Sequence, residues 1–141
     1  ERIRANRESR RADASRARAD EIALVLARRA ARAAAEGMLE EASQDVAKAA
    51  SGTSNDEILQ LAFEFYFGVG NLKEAEAIAR ARLAIHGANA KSTSTASAYN
   101  NLGSLLFVQS KLKRAIQMYR KSLRISKSIG GLLPGIEDRV R

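Results

Sequence analysis

The chain has 141 residues and a formal net charge of +8, from 24 lysines and arginines against 16 aspartates and glutamates. That length fits one domain or a piece of a larger protein, and a core large enough to bury roughly 68–70% of the unfolded surface. With no cysteine there is no disulfide framework and no thiolate metal site, a usage that fits a reducing compartment such as the cytoplasm, and no apolar run is long enough for a membrane helix.

The first 20 residues hold seven arginines and almost no apolar side chain beyond Ile3 and several alanines. Glu1, Glu8, Asp13 and Asp20 are interspersed, unlike an acid-poor transit peptide, and Ala23–Ala27 is too short for the apolar core of a signal peptide. Residues 1–20 are expected as an arm or as an extension of the first helix. They are expected to be the least ordered part, or ordered by a partner, because little burial offsets the entropy of ordering them. A start at Glu1 rather than methionine reads as a processed, trimmed or partly represented chain.

Charge is uneven along the chain. Residues 1–36 carry 10 bases and 6 acids, residues 37–90 carry 4 and 8, and residues 91–141 carry 10 and 2. Such asymmetry bears on partners and solubility rather than on fold.

Abundant alanine, arginine and leucine with a single proline predict an all-α protein. Self-similarity appears at three places: Gly37, Leu39, Ala42; Gly70, Leu72, Ala75; and Ser110, Leu112, Ala115. Each triplet lies between two helical runs. The first runs read 22–36, 55–69 and 96–109, and the second 39–50, 72–86 and 112–128. Polar stretches at 51–55 and 87–95 read as loops, with Asn55 and Asp56 as candidate N-caps. The pairs therefore span about 22–50, 55–86 and 96–128, an array over 21–129. In the middle pair, Ile58, Leu61, Phe65 and Val69 form one apolar stripe, and Leu59, Ala62, Phe63 and Tyr66 another. A helix apolar on two faces must be covered on both. In the last pair Leu112, Ala115, Ile116, Tyr119 and Leu123 follow helical spacing.

The run Tyr99, Leu102, Gly103, Leu106, then Ala115 and Tyr119, resembles the tetratricopeptide repeat. Weaker copies are Leu59, Ala62, Phe63, Tyr66, Gly70, Ala75, and then Leu26, Ala30, Ala33, Gly37, Ala42, with Arg29 where leucine is usual. The 40-residue spacing is similar to the longer repeats of kinesin light chains, which extends the expected location to the cytoskeleton. The resemblance covers about 22–128 and implies a right-handed superhelical stack of antiparallel helix pairs, an α-solenoid. Gly103 is expected to let the two helices of its pair approach, with Ala115 small on the facing wall. The resemblance also implies a concave partner-binding groove, lined by Gln60, Glu64 and Phe67 in one unit and Asn100, Ser104, Phe107 and Val108 in the next. Helical spacing puts 100, 104 and 107 on a face distinct from 99, 102, 103 and 106. The two phenylalanines either anchor a partner or lie in the core.

No catalytic constellation is legible. His86, the lone histidine, reads as a helix-terminal residue and cannot make a typical zinc site by itself. Glu40–Glu41 and Glu137–Asp138 are adjacent on a helix and do not face each other. Gly130–Gly131 lacks the strand and lysine of a phosphate loop. The sequence is thus read as a non-enzymatic scaffold without a cofactor that binds a protein segment, a peptide or a helix. The alternative is a basic helical-repeat module that binds nucleic acid or another polyanion, through Lys111, Lys113, Arg114, Arg120, Lys121, Arg124 and Lys127. No base-stacking aromatics are interleaved with those charges. Residues 130–141 read as a turn and the first turns of a further helix, so that the chain is expected to be a cut piece of a longer array or to live in an assembly, with self-association through a partly open apolar side of 96–128.

Overall fold

No proline or glycine interrupts the first 36 residues, which alanine and arginine, both strong helix formers, dominate. In the structure, a computed structural model that describes residues 1–130, they form one helix, α1 (Arg2–Ala35). The arginine-rich segment is thus helical, exposed all round through residue 19 and continuous with the apolar part that follows. Five more helices follow among the described residues: α2 (Leu39–Ala50), α3 (Asp56–Gly68), α4 (Leu72–His86), α5 (Thr93–Val108) and α6 (Leu112–Ser128), with no strand. The fold is all-α. The helix expected to begin near Ile136 lies outside the described residues.

The bounds of α2, α4 and α6 coincide with those read from the sequence, whereas α5 starts at Thr93 rather than 96. Ser92 is extended (φ −131°, ψ 154°) and its hydroxyl accepts from the Thr95 N–H at 3.1 Å. That N-cap turns polar residues expected as loop into a first helical turn. Asn55 caps α3 in the same way, accepting from the Ile58 N–H at 3.2 Å.

The three repeated triplets share one backbone device. Gly37 (φ 85°), Gly70 (φ 82°) and Ser110 (φ 62°) are all left-handed. After α1, the Gly37 N–H donates to Ala34 O and the Met38 N–H to Ala33 O. After α3, Gly70 donates to Phe67 O and Asn71 to Tyr66 O; after α5, Ser110 donates to Phe107 O and Lys111 to Leu106 O. This paired closure satisfies the last carbonyls of each first helix and sends the chain straight into the second. Leu39, Leu72 and Leu112 then open the second helices, and Ala42, Ala75 and Ala115 are buried on them.

The chain divides into two compact units, Glu1–Phe65 and from Tyr66 onward. In the first, Ala27 of α1, Ala49 of α2 and Ile58 of α3 form the core, with Leu24, Leu26 and Leu61 against it. Arg29, at a position where leucine is usual, grips Asp45 of α2 with two hydrogen bonds of 2.9 and 3.0 Å. Those bonds hold the Asp45 carboxyl below the usual range and raise the guanidinium.

In the second unit, α5 packs between α4 and α6. Gly103 lies against α6, where a Cβ would come within 2.8 Å of two carbons of the Tyr119 ring. The facing wall is therefore Tyr119 rather than Ala115, which is buried one turn earlier. The Tyr119 and Ser104 hydroxyls share a hydrogen bond of 3.1 Å, and Ser122 Oγ donates to Ala96 O at 2.7 Å.

Candidate functional site

Tyr99, Leu102, Gly103 and Leu105 are all buried, which commits one side of α5 to packing. The four residues expected to line a groove fall on its other side, at the i, i+4, i+7, i+8 spacing of one helical face. Phe107 is 59% exposed and Val108 50%, so Phe107 is not core. Asn100 is exposed, and its side-chain amide has no partner among the described residues. Ser104 is half-buried; besides its bond to Tyr119 it donates to Asn100 O at 3.1 Å.

The matching positions on α3, 40 residues earlier, are Gln60, Glu64 and Phe67. Gln60 Nε2 donates to Glu64 Oε1 at 3.1 Å, along one face of α3 in the first unit. Phe67 is half-buried and belongs to the second unit.

A family model of the tetratricopeptide repeat matches residues 59–128, over which the structure has α3 through α6. Residues 59–128 are tetratricopeptide repeats. No curated protein and no solved structure matches the chain. Tetratricopeptide repeats mediate protein–protein interaction, which makes proteins the partner class to expect. The pair α1–α2 lies before the matched residues yet repeats the left-handed turn at Gly37 and the buried alanine at Ala42.

The seven basic residues of the last tetratricopeptide pair are all exposed, Lys111 just before α6 and the other six along it. At 100° per residue those six fall within an arc of about 140°. None is in an ion pair among the described residues. The apolar stripe expected to pack on this helix divides in two. Ala115 and Tyr119 turn toward α5, while Leu112 (54%), Ile116 (48%) and Leu123 are exposed on a neighbouring face.

One functional-looking residue escaped the sequence reading. Arg82 is only 1% exposed, and its guanidinium donates to Ser97 Oγ at 3.1 Å, which ties α4 to α5. The available signal was its spacing: 75, 79 and 82 form one inward helical stripe. Among the described residues no buried side-chain nitrogen or oxygen lacks a hydrogen bond, so Arg82 reads as structural. His86 is the last residue of α4. Among the described residues no group of three or more metal-ligating side chains gathers, and no helix is long and apolar enough to cross a membrane.

Proposed function

We propose that the chain is a non-catalytic scaffold that holds a partner peptide or helix along its first helices, the concave side in this family. In the second unit the residues proposed to do so are Phe67 on α3 and Asn100, Ser104, Phe107 and Val108 on α5; Gln60 and Glu64, on α3 in the first unit, are proposed as contacts of that unit taken by itself. The carrying observation is the solvent-facing pair Phe107 and Val108, on a helix whose opposite side is fully packed. An exposed aromatic is an anchor that gains by desolvation on binding. The free amide of Asn100, on the same face, can bond a peptide backbone.

The test is a pull-down with wild type against a Phe67/Phe107/Asn100 triple alanine variant. The variant should lose its partner while the single change Phe107→Ala, at an exposed site, leaves stability within about 0.5 kcal/mol. Retention of the same partner by the folded triple variant would defeat the groove assignment. The basic arc of α6 favours a second reading, binding of nucleic acid or another polyanion. The two separate by salt: phosphate contacts give a steep linear fall of log K with log salt, and docking on an apolar face barely responds.

A further inference from the structure

The α4–α5 turn and the C-terminal half of α6 border an open cleft of about 310 Å³ in the second unit. Asn89, Lys91, Tyr99, Lys121, Arg124 and Ser128 line it, over the side chain of Ile125. Its walls are fixed from within. The Tyr99 hydroxyl donates to Ala88 O at 2.7 Å and Thr95 Oγ1 to Gly87 O at 3.1 Å, which pins the turn to α5. Ser122 Oγ, bonded to Ala96 O, docks α6 on the other side. A site already shaped loses less entropy when it binds.

The cleft is also one-signed. Lys91, Lys121 and Arg124 have no carboxylate partner among the described residues, and residues 91–130 contain no aspartate or glutamate. Elsewhere the protein does pair its arginines, Arg29 with Asp45 and Arg80 with Glu76. Three cations exceed what one carboxylate neutralises. A phosphomonoester carries about −1.5 to −2 at neutral pH, with three acceptor oxygens. Arg124 can meet it bidentately, and the Asn89 amide adds a neutral donor.

We propose that this cleft binds a phosphomonoester, carried on a phosphorylated serine or threonine of a partner protein. A nucleic acid strand is disfavoured by the same geometry. Tyr99 is buried, and Lys121 Nζ sits 5.3 Å from its ring centroid, so no ring face is open to a base. The cleft lies on α6 and the α4–α5 turn, away from the α5 face of the proposed groove. Removing Phe107 and Asn100 therefore leaves it intact, and the two ideas fail separately.

The test is an NMR titration of the full 141-residue chain, at fixed ionic strength, with O-phosphoserine, a short peptide bearing one phosphoserine, and its unphosphorylated twin. The phosphopeptide should shift the amides of Lys91, Tyr99 and Arg124, and its twin should not. Lys121→Gln with Arg124→Gln should weaken phosphopeptide binding about tenfold or more, as loss of charge-assisted bonds does. Lys91→Gln, on a different element, should weaken it in the same direction. Lys113→Gln with Arg114→Gln removes as much charge from the same helix outside the cleft and should change affinity by less than about threefold. Equal losses in the two double variants, or equal binding of the twin, would overturn the proposal. So would an oligonucleotide that binds more tightly than the phosphopeptide through the same residues. Free O-phosphoserine binding as tightly as the peptide would overturn the assignment to a partner protein.

Discussion

At Gly103 a helix gives up about 1 kcal/mol of propensity relative to alanine. The return is contact: Tyr119 occupies the space a Cβ would need. In the sequence register the same two positions hold Ala30 and Val46 in the first pair and Phe63 and Ala79 in the second, so one of the two is small in every copy. Gly103→Ala is expected to destabilise despite its better propensity, by about 1–3 kcal/mol as an overpacking change. In a double-mutant cycle, Tyr119→Ala should cost less in the Gly103→Ala background than alone. Additive effects would show that the two residues do not share the contact. A second single-residue prediction concerns acid. The Arg29 hydrogen bonds lower the Asp45 pKa in the folded chain relative to an ordinary aspartate at about 3.9. The folded state then binds fewer protons, so the pair's contribution is complete above about pH 4 and is lost as pH falls through the depressed value. Asp45→Asn should melt lower than wild type at pH 7, and the gap should close toward pH 2. A gap independent of pH would mean that the ion pair is not its source.

The first helix of each pair ends with the same paired closure, and a left-handed residue makes it possible. Glycine takes that conformation at little cost, whereas an L side chain is strained there by about 1–2 kcal/mol. Two copies use glycine and the third uses Ser110, the one non-glycine residue with positive φ among those described. Ser110→Gly should therefore stabilise by up to about 1 kcal/mol, the relief less the extra freedom of glycine in the unfolded chain. Gly70→Ala should destabilise by about 1 kcal/mol for the converse reason. Denaturant midpoints measure both. A drop in midpoint for Ser110→Gly would mean that the serine side chain contributes more than its strain costs.

For the whole molecule, the informative feature is apolar surface left outside both cores. Leu112, Ile116 and Leu123 on α6 are exposed, as are Phe107 and Val108 at the end of α5. Exposed apolar groups of this kind mark interaction surfaces. Sedimentation of the chain across a concentration range is expected to show association that grows with concentration. Ile116→Lys should reduce that association with little loss of stability, since Ile116 is 48% exposed. A monomer at every concentration would show that these side chains tolerate water.

The sequence alone determined what depends on near neighbours. The bounds of α2, α4 and α6, the turns at Gly37, Gly70 and Ser110, and the inward alanines at 42, 75 and 115 all follow from helical period and capping chemistry, which act within a few residues. The outward face of α5 was legible for the same reason, because a helix that commits Tyr99, Leu102 and Gly103 to one side leaves Asn100 and Phe107 on the other. Only the tertiary structure decided that Tyr119 fills the space beside Gly103, that Arg82 is buried against Ser97, and that Leu112 and Ile116 stay exposed while Ala115 does not. It alone assembled Lys91, Tyr99 and Arg124 around one cleft. Periodicity tells which residues share a helix face. Whether that face meets water, a ring or another helix depends on side chains 15 or more positions away, and no local pattern carries that.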